Sequence, residues 1–489
     1  MGNFVGIDLG TTFSSLAYLN ALGEPVIVAD KNTGERSLPS AVSWTQDGEC
    51  LVGLAAIHNR HADVSRSVRW IKRQMGEIAF QVRIDDKVYK PKDISSKILE
   101  TLKKSAEKQI GELDKVIITV PANFENIARR ATEEAGRQAG LNVIGLIDEP
   151  VAAAYYFAVK AGIRGKALIF DLGGGTLDVS IVEIKEEHGE HEVSILTSLG
   201  DRFLGGYNFD QRLTAYFETI FKRDMGEELF TTDEERAVIE DYAEEVKCAL
   251  GKREKISFHL VGSKGGKYKG ELDSGTFSDI IKDDLAAIKM LLEAVVKHEA
   301  KLEFSDIDHI VLVGGSTRLM CVKKILSEMF GREPVVLGNV DEVVALGAAL
   351  YARKLTECKT TGNPIHNVCN HGYGFIYAER NPVTNQIEER NRILIPKNTE
   401  VPFEFEQLTG SSMDDQRELL YRVTQGESED IDMVSVIKKV VVPLPPGMPA
   451  GTAVRVKFRY DINQCMHCSF VISGEEKGEE IELDLNKLA

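Results

Sequence analysis

The stretch Val5–Leu19, VGIDLGTTFSSLAYL, returns in altered form at Leu168–Val182 as LIFDLGGGTLDVSIV. Each copy reads as an apolar strand ending in Asp, a Gly-rich tight turn with Thr, and a second apolar strand. Glycines let backbone N–H groups approach a phosphate closely, and successive N–H groups form an anion-binding concavity. Thr11, Thr12 and Thr176 add hydroxyls. A carboxylate beside a polyphosphate repels it unless a cation intervenes, so Asp8 and Asp171 imply a hydrated Mg²⁺ between them. One hairpin per half, facing across a cleft, can clamp both ends of a diphosphate or triphosphate. A single Gly-rich turn is an ordinary hairpin turn. Two copies sharing Asp-Leu-Gly, plus the loop VGGSTR at Val313–Arg318 between a strand and a helix, point to nucleotide binding.

The chain around these loops has 489 residues, too many for one core and enough for roughly three compact units. Hydrophobic content of 43% and charged content of 28% are those of a folded, soluble protein. With 59 basic and 76 acidic residues the formal charge is −17, which argues against a nucleic-acid surface. Asp8 and two glycines interrupt the first apolar stretch, so no signal peptide is expected. No run approaches the roughly 18 apolar residues of a membrane helix. Seven scattered cysteines suit a reducing compartment. The expectation is a cytoplasmic protein with no membrane partner.

Residues 1–355 alternate strands and helices. Val116–Val120 is a β-branched run stopped by Pro121; Glu125–Gly140 reads as a helix with Ile127, Ala131, Ala135 and Ala139 on one face; Val143–Ile147 is a strand again. Ile310–Val313, the GGSTR loop and a helix over Leu319–Phe330 repeat the plan. Residues 356–371 are polar and turn-rich and read as a linker. Beyond them, alternation places Val454, Val456, Phe458, Tyr460 and Ile462 on one strand face and Ile481, Leu483 and Leu485 on another. Residues 372–489 therefore read as an all-β domain.

The segments GIDLGTT, VPANFENIARRATEEAGRQAGLNVIGLIDEPVAAAYY, IFDLGGGTLDVSIVEI, LGGYNFD, VLVGGSTR and DEVVALGAALYA resemble, in family order, the seventy-kilodalton heat-shock chaperones of the DnaK type. ILIPKNTEVP, YRVTQGE and PLPPGMPAG extend the likeness over nearly the whole chain. The resemblance implies an α/β fold: a duplicated actin-like, ribonuclease-H-like ATPase domain with two lobes around a nucleotide cleft, followed by a smaller β-sandwich that clasps extended apolar peptide. Gly10, Thr11, Thr12 and Phe13 would form the first phosphate loop and Gly173, Gly174, Gly175 and Thr176 the second, with Asp178 behind it. Asp8 and Asp171 would hold Mg²⁺ through water, with K⁺ a further candidate ion. Lys72 would position the attacking water, Glu149 would act near the metal water, and Pro150 would relay nucleotide state. Glu244 and Lys247 would reach the ribose; Gly314, Gly315, Ser316, Arg318 and Asp341 the nucleoside; Gly205 and Gly206 complete the cofactor set. Phe375, Tyr377, Leu419 and Tyr421 would line the peptide groove. ATP, ADP, unfolded clients, a J-domain co-chaperone and a nucleotide exchange factor follow from the family.

Three features depart from the family pattern. Cys248 stands where an arginine normally stacks on adenine, and Gly251 where a serine contacts the base, which predicts weaker ATP binding. The linker lacks the usual leucine-rich run, which predicts weak interdomain coupling. No helical lid follows before Ala489; if that is the natural end, bound peptide leaves quickly. His366, Cys369 and His371, and Cys465, His467 and Cys468, lack the paired spacing of a zinc site, and alternation would turn Cys465 and Cys468 to opposite faces. A small-molecule kinase on the same core would leave the β-domain unexplained; a nucleotide-binding holdase or adaptor with lapsed hydrolysis is the other competing reading.

Overall fold

The computed structural model describes residues 3–31, 33–187, 190–357, 365–369, 371–380, 386–461 and 465–472. The chain divides into two compact units, Met1–Ile365 and His366–Ala489.

In the first half of the first unit, strand Phe4–Asp8 runs parallel to Lys115–Val120 and forms an antiparallel hairpin with Phe13–Leu19. Val143–Asp148 extends the sheet beyond Lys115–Val120, and Pro25–Ile27 pairs with the far arm of the hairpin. In the second half, Gly165–Leu172 runs parallel to His309–Val313 and forms a hairpin with Leu177–Glu187, which pairs with Glu190–Asp201. The order is the same twice: parallel neighbour, hairpin, antiparallel neighbour. The Asp is the last residue of the first arm in one copy and the last but one in the other, Asp8 opposite Ser15 and Asp171 opposite Asp178. Each sheet has its own core, with Val5, Leu16, Ile98, Val116 and Leu146 in one and Leu168, Phe170, Phe209, Phe217 and Leu326 in the other. Strands covered on both faces need the near-continuous apolar runs seen in the sequence.

The halves exchange helices. Glu149–Ala161, which follows the last strand of the first sheet, packs on the second; Val343–Glu357 packs on Phe4–Asp8 and Phe13–Leu19. The two helices cross where a Cβ on Gly347 would come 1.9 Å from the Ala152 carbonyl oxygen, so only glycine allows this approach. The helix Asn126–Gln138 forms as read, and Ala135 and Ala139 are buried as expected, but in its first half the buried positions are Ala128, Arg129 and Thr132, while Ile127 and Ala131 are only half-buried. The reason is Arg129, which reaches inward to Asp148 and breaks the apolar pattern.

The second unit contains a four-stranded sheet, in the order Ile387–Ile395, Tyr373–Arg380, Glu418–Gln425, Ser435–Pro443, and a three-stranded sheet of Phe403–Gly410, Ala453–Tyr460 and Met466–Ile472. Val454, Val456, Phe458 and Tyr460 face the core, as alternation requires. Ile462 and the strand read at Ile481–Leu485 lie outside the described residues. Within the stretch read as a linker, Val343–Glu357 remains helical to its end and Ile365–Val368 forms a strand paired with Glu400–Val401. Cys468 faces this core, whereas Cys465 precedes the strand; both are buried, so the alternation argument does not apply to that pair.

Candidate functional site: a cleft between the two Asp hairpins

Asp8 and Asp171 line one cleft of about 460 Å³, within the size range of small-molecule sites. The same cleft is lined by Gly10, Thr11, Thr12, Phe13, Lys72, Glu149, Gly173, Gly174, Gly175 and Thr176 at one end. At the other it is lined by Glu244, Lys247, Cys248, Gly251, Gly314, Gly315, Ser316, Arg318 and Asp341. Every cofactor residue read from the sequence lines it except Gly205 and Gly206, which sit directly behind the second loop.

The two hairpin loops approach each other closely. A Cβ on Gly174 would lie 1.8 Å from Thr12 Oγ1, and one on Gly175 would lie 2.5 Å from Thr11 Oγ1. The first loop is braced from outside: Gly10 N–H donates to Ser14 Oγ at 3.1 Å and Ser40 Oγ donates to the Gly10 carbonyl at 2.8 Å. The second is braced through its carbonyls. Gly173 O accepts from Gly206 N–H and from Ser316 Oγ, each at 3.0 Å, and Gly174 O accepts from Tyr207 N–H at 2.6 Å. Among the described residues no protein acceptor takes the Gly174 or Gly175 N–H, so these donors suit an anion.

Charge is concentrated behind the loops. Lys72 and Glu149 are both buried, and the lysine donates to the Glu149 carboxylate. Burial opposes the Lys72 charge, but Glu149 and Asp8 outweigh it and hold the amine above its ordinary value. Burial, and then the Glu149 charge, push Asp8 up to about 7 despite Lys72 and a 3.3 Å hydrogen bond from Thr119. The same two causes push Asp178 up to about 7. Asp171 is raised well above its ordinary value by burial, then Glu149 and Asp178. Buried oxygens this short of positive charge fit a hard cation, and Asp178 Oδ1 has no hydrogen-bond partner among the described residues. Among the described residues no group of three or more His, Cys, Asp or Glu side chains is arranged to hold a metal ion directly.

At the nucleoside end, Lys247 is buried and donates to Asp210 at 2.7 Å and to the Gly206 carbonyl at 3.0 Å. Burial first, only partly offset by Lys247, pushes Asp210 up to about 7. Glu244 accepts from Arg69 at 2.9 Å. Arg318 is held by Asp341 and Asn339, each at 2.5 Å. Cys248 is exposed to the cleft, and Gly251 faces Arg318, whose Cβ would lie 3.4 Å from an added methyl. Several contributors carry no motif of their own. Glu35 and Ser37 line the cleft from one loop and Lys252 from another, and the fully buried Arg129–Asp148 pair, 2.5 Å apart, fixes the residue before Glu149. Only Asp210 had a local signal, four residues after Gly206 on the same helix.

In the second unit, Phe375 and Tyr421 are 4% and 5% exposed and belong to the sandwich core, against Phe458 and Phe470. Tyr377 and Leu419 are half-buried at its margin.

Against known proteins, the family model described as Hsp70 protein matches residues 4–488. The chain belongs to the Hsp70 family. It is 36% identical to the chaperone protein DnaK of Thermotoga neapolitana, over 98% of this chain and 79% of the relative. It is 33% identical to that of Thermosipho melanesiensis, over 99% and 82%. The protein is an ATP-dependent chaperone of the DnaK type, an ATPase that binds nucleotide with a metal ion, and members of this family bind unfolded clients and co-chaperones. Among the described residues no helix is long and apolar enough to cross a membrane.

Proposed function

We propose that ATP lies with its phosphates between the Gly10–Phe13 and Gly173–Thr176 loops and its nucleoside between Glu244, Lys247, Gly315, Ser316, Arg318 and Asp341. The observation that carries this reading is that Asp8 and Asp171 line one cleft together with the Lys72–Glu149 pair. Mg²⁺, held by Asp8 and Asp171 through water, would supply charge neutralisation on the phosphates; K⁺ is a second ion of suitable hardness. Lys72 carries the positive charge of the protein at the transferring phosphoryl group and orients the attacking water, and Glu149 holds that amine in place and accepts from the water network. The free Gly174 and Gly175 N–H groups bind phosphate oxygens. Gly205 and Gly206 act from behind, through the amide that fixes the Gly173 carbonyl.

Cys248 offers no cation to the adenine face, so Arg318 stacks alone and ATP binds more weakly than with two arginines. Extended apolar peptide binds the β-sandwich through backbone hydrogen bonds. Tyr377 and Leu419 retain side-chain surface for it, while Phe375 and Tyr421 support the groove from beneath. A J-domain protein and a nucleotide exchange factor are the partners, and the compartment is the cytoplasm. A single-turnover ATPase assay beside Lys72→Ala tests the reading: phosphate release without an acceptor, lost in the variant while ADP binding persists, is expected. Equal rates in both proteins contradict it.

A further inference from the structure

The run Arg69–Arg73, RWIKR, carries Lys72 and is fastened to the opposite half of its unit at successive residues. Arg69, whose side chain is 5% exposed, pairs with Asp241 and Glu244 on the helix Asp233–Leu250. The Trp70 ring lies 4.3 Å from that of Tyr207, with the Arg69 and Arg60 guanidiniums over it at 4.6 and 5.3 Å. Arg73 lies 5.0 Å over the other end of the contact, the Tyr207 ring. Tyr207 is thus engaged twice: its ring meets Trp70, and its backbone N–H holds the Gly174 carbonyl of the second phosphate loop.

Trp70 adopts φ 57 and ψ 26, the left-handed region. A bulky side chain keeps that conformation only where its surroundings fix it, and such residues concentrate at functional sites. Lys72 follows two residues later, in the 3₁₀ turn Ile71–Gln74. Its long stem is flexible, so where its amine lies depends on where this turn is set.

We propose that Trp70 and Tyr207 are positioning residues for the ATPase reaction: their stack registers the Lys72 turn against the Gly173–Thr176 loop from across the cleft. The inference rests on Lys72 acting in hydrolysis. Neither ring lines the cleft, so the pair governs rate and leaves nucleotide affinity alone.

The test measures single-turnover hydrolysis and ADP affinity of the full chain. Trp70→Ala and Tyr207→Ala are each expected to slow hydrolysis about tenfold, the scale of a small misplacement of a catalytic group, with the ADP Kd unchanged. Trp70→Phe, which keeps a ring, recovers most of the rate. Trp70→Gly accepts the left-handed backbone without a ring and stays as slow as Trp70→Ala. The double variant Trp70→Ala/Tyr207→Ala is no slower than either single, because the two act as one contact. Wild-type rates in both single variants, full recovery in Trp70→Gly, or losses that multiply in the double variant overturn the proposal. Lys72→Ala, run in parallel, separates the levels. If Lys72→Ala hydrolyses normally, the role of Lys72 fails and this inference with it. If Lys72→Ala is inactive while Trp70→Ala is normal, only this inference fails.

Discussion

The first unit buries Lys72, Glu149, Asp171 and Asp178 in or behind one cleft that the half-buried Asp8 also lines, whereas the second encloses Tyr373, Phe375, Phe458, Tyr460 and Phe470. Four carboxylates around one lysine are unfavourable to bury, and the raised Asp8, Asp171 and Asp178 record that cost. The aromatic interior of the second unit carries no comparable penalty. The difference teaches where chemistry resides. On the proposed reading, a bound cation and nucleotide complete the unfavourable interior of the first unit, and the second offers its surface and backbone to peptide.

Two substitutions should separate the units most sharply. Lys72→Ala is expected to slow single-turnover hydrolysis about a thousandfold by removing the cation at the transferring phosphate, with the melting of the β unit unchanged. Phe458→Ala, at a fully buried position, is expected to lower the stability of the β unit by about 3–5 kcal/mol in denaturant unfolding, with peptide-free hydrolysis unchanged. A Phe458→Ala protein with impaired basal hydrolysis would break the separation.

A pH series sharpens it further. Asp8 and Asp178 sit at about 7 in the folded protein, above an ordinary Asp at about 3.9. Between these values the native state binds more protons than the unfolded one, so stability is fully present below about 4 and falls as pH rises through 7. Thermal melts of nucleotide-free protein from pH 5 to pH 8 should show the first unit losing stability and the β unit changing little. Mg²⁺ and ADP should remove most of that pH dependence. The smallest effect is expected from Cys248→Arg, which restores a second stacking cation and should tighten ATP binding about twofold to thirtyfold by calorimetry.

The fold of the first unit was legible because strands covered on both faces must be continuously apolar, and because Asp-Leu-Gly followed by small residues recurs. The loops were legible because close approach at Gly174 and Gly175 admits no side chain. What escaped the sequence depends on partners far away in the chain. Arg129 looks like a surface residue until Asp148 is beside it, and Glu35 and Lys252 reach the cleft from loops without a motif. In the β unit, alternation places Phe375 and Tyr421 on inward faces but does not distinguish a groove from a core, and the structure puts both in the core.

The central claim is that Asp8 and Asp171 together hold a metal-chelated nucleotide. Calorimetric titration of ADP with Mg²⁺ and with EDTA, on the wild type and on Asp8→Asn/Asp171→Asn, tests it most directly. The account predicts that Mg²⁺ tightens ADP binding about tenfold or more in the wild type and has no effect in the double variant. Equal ADP affinity in Mg²⁺ and EDTA for the wild type, or an undiminished Mg²⁺ effect in the variant, would contradict it.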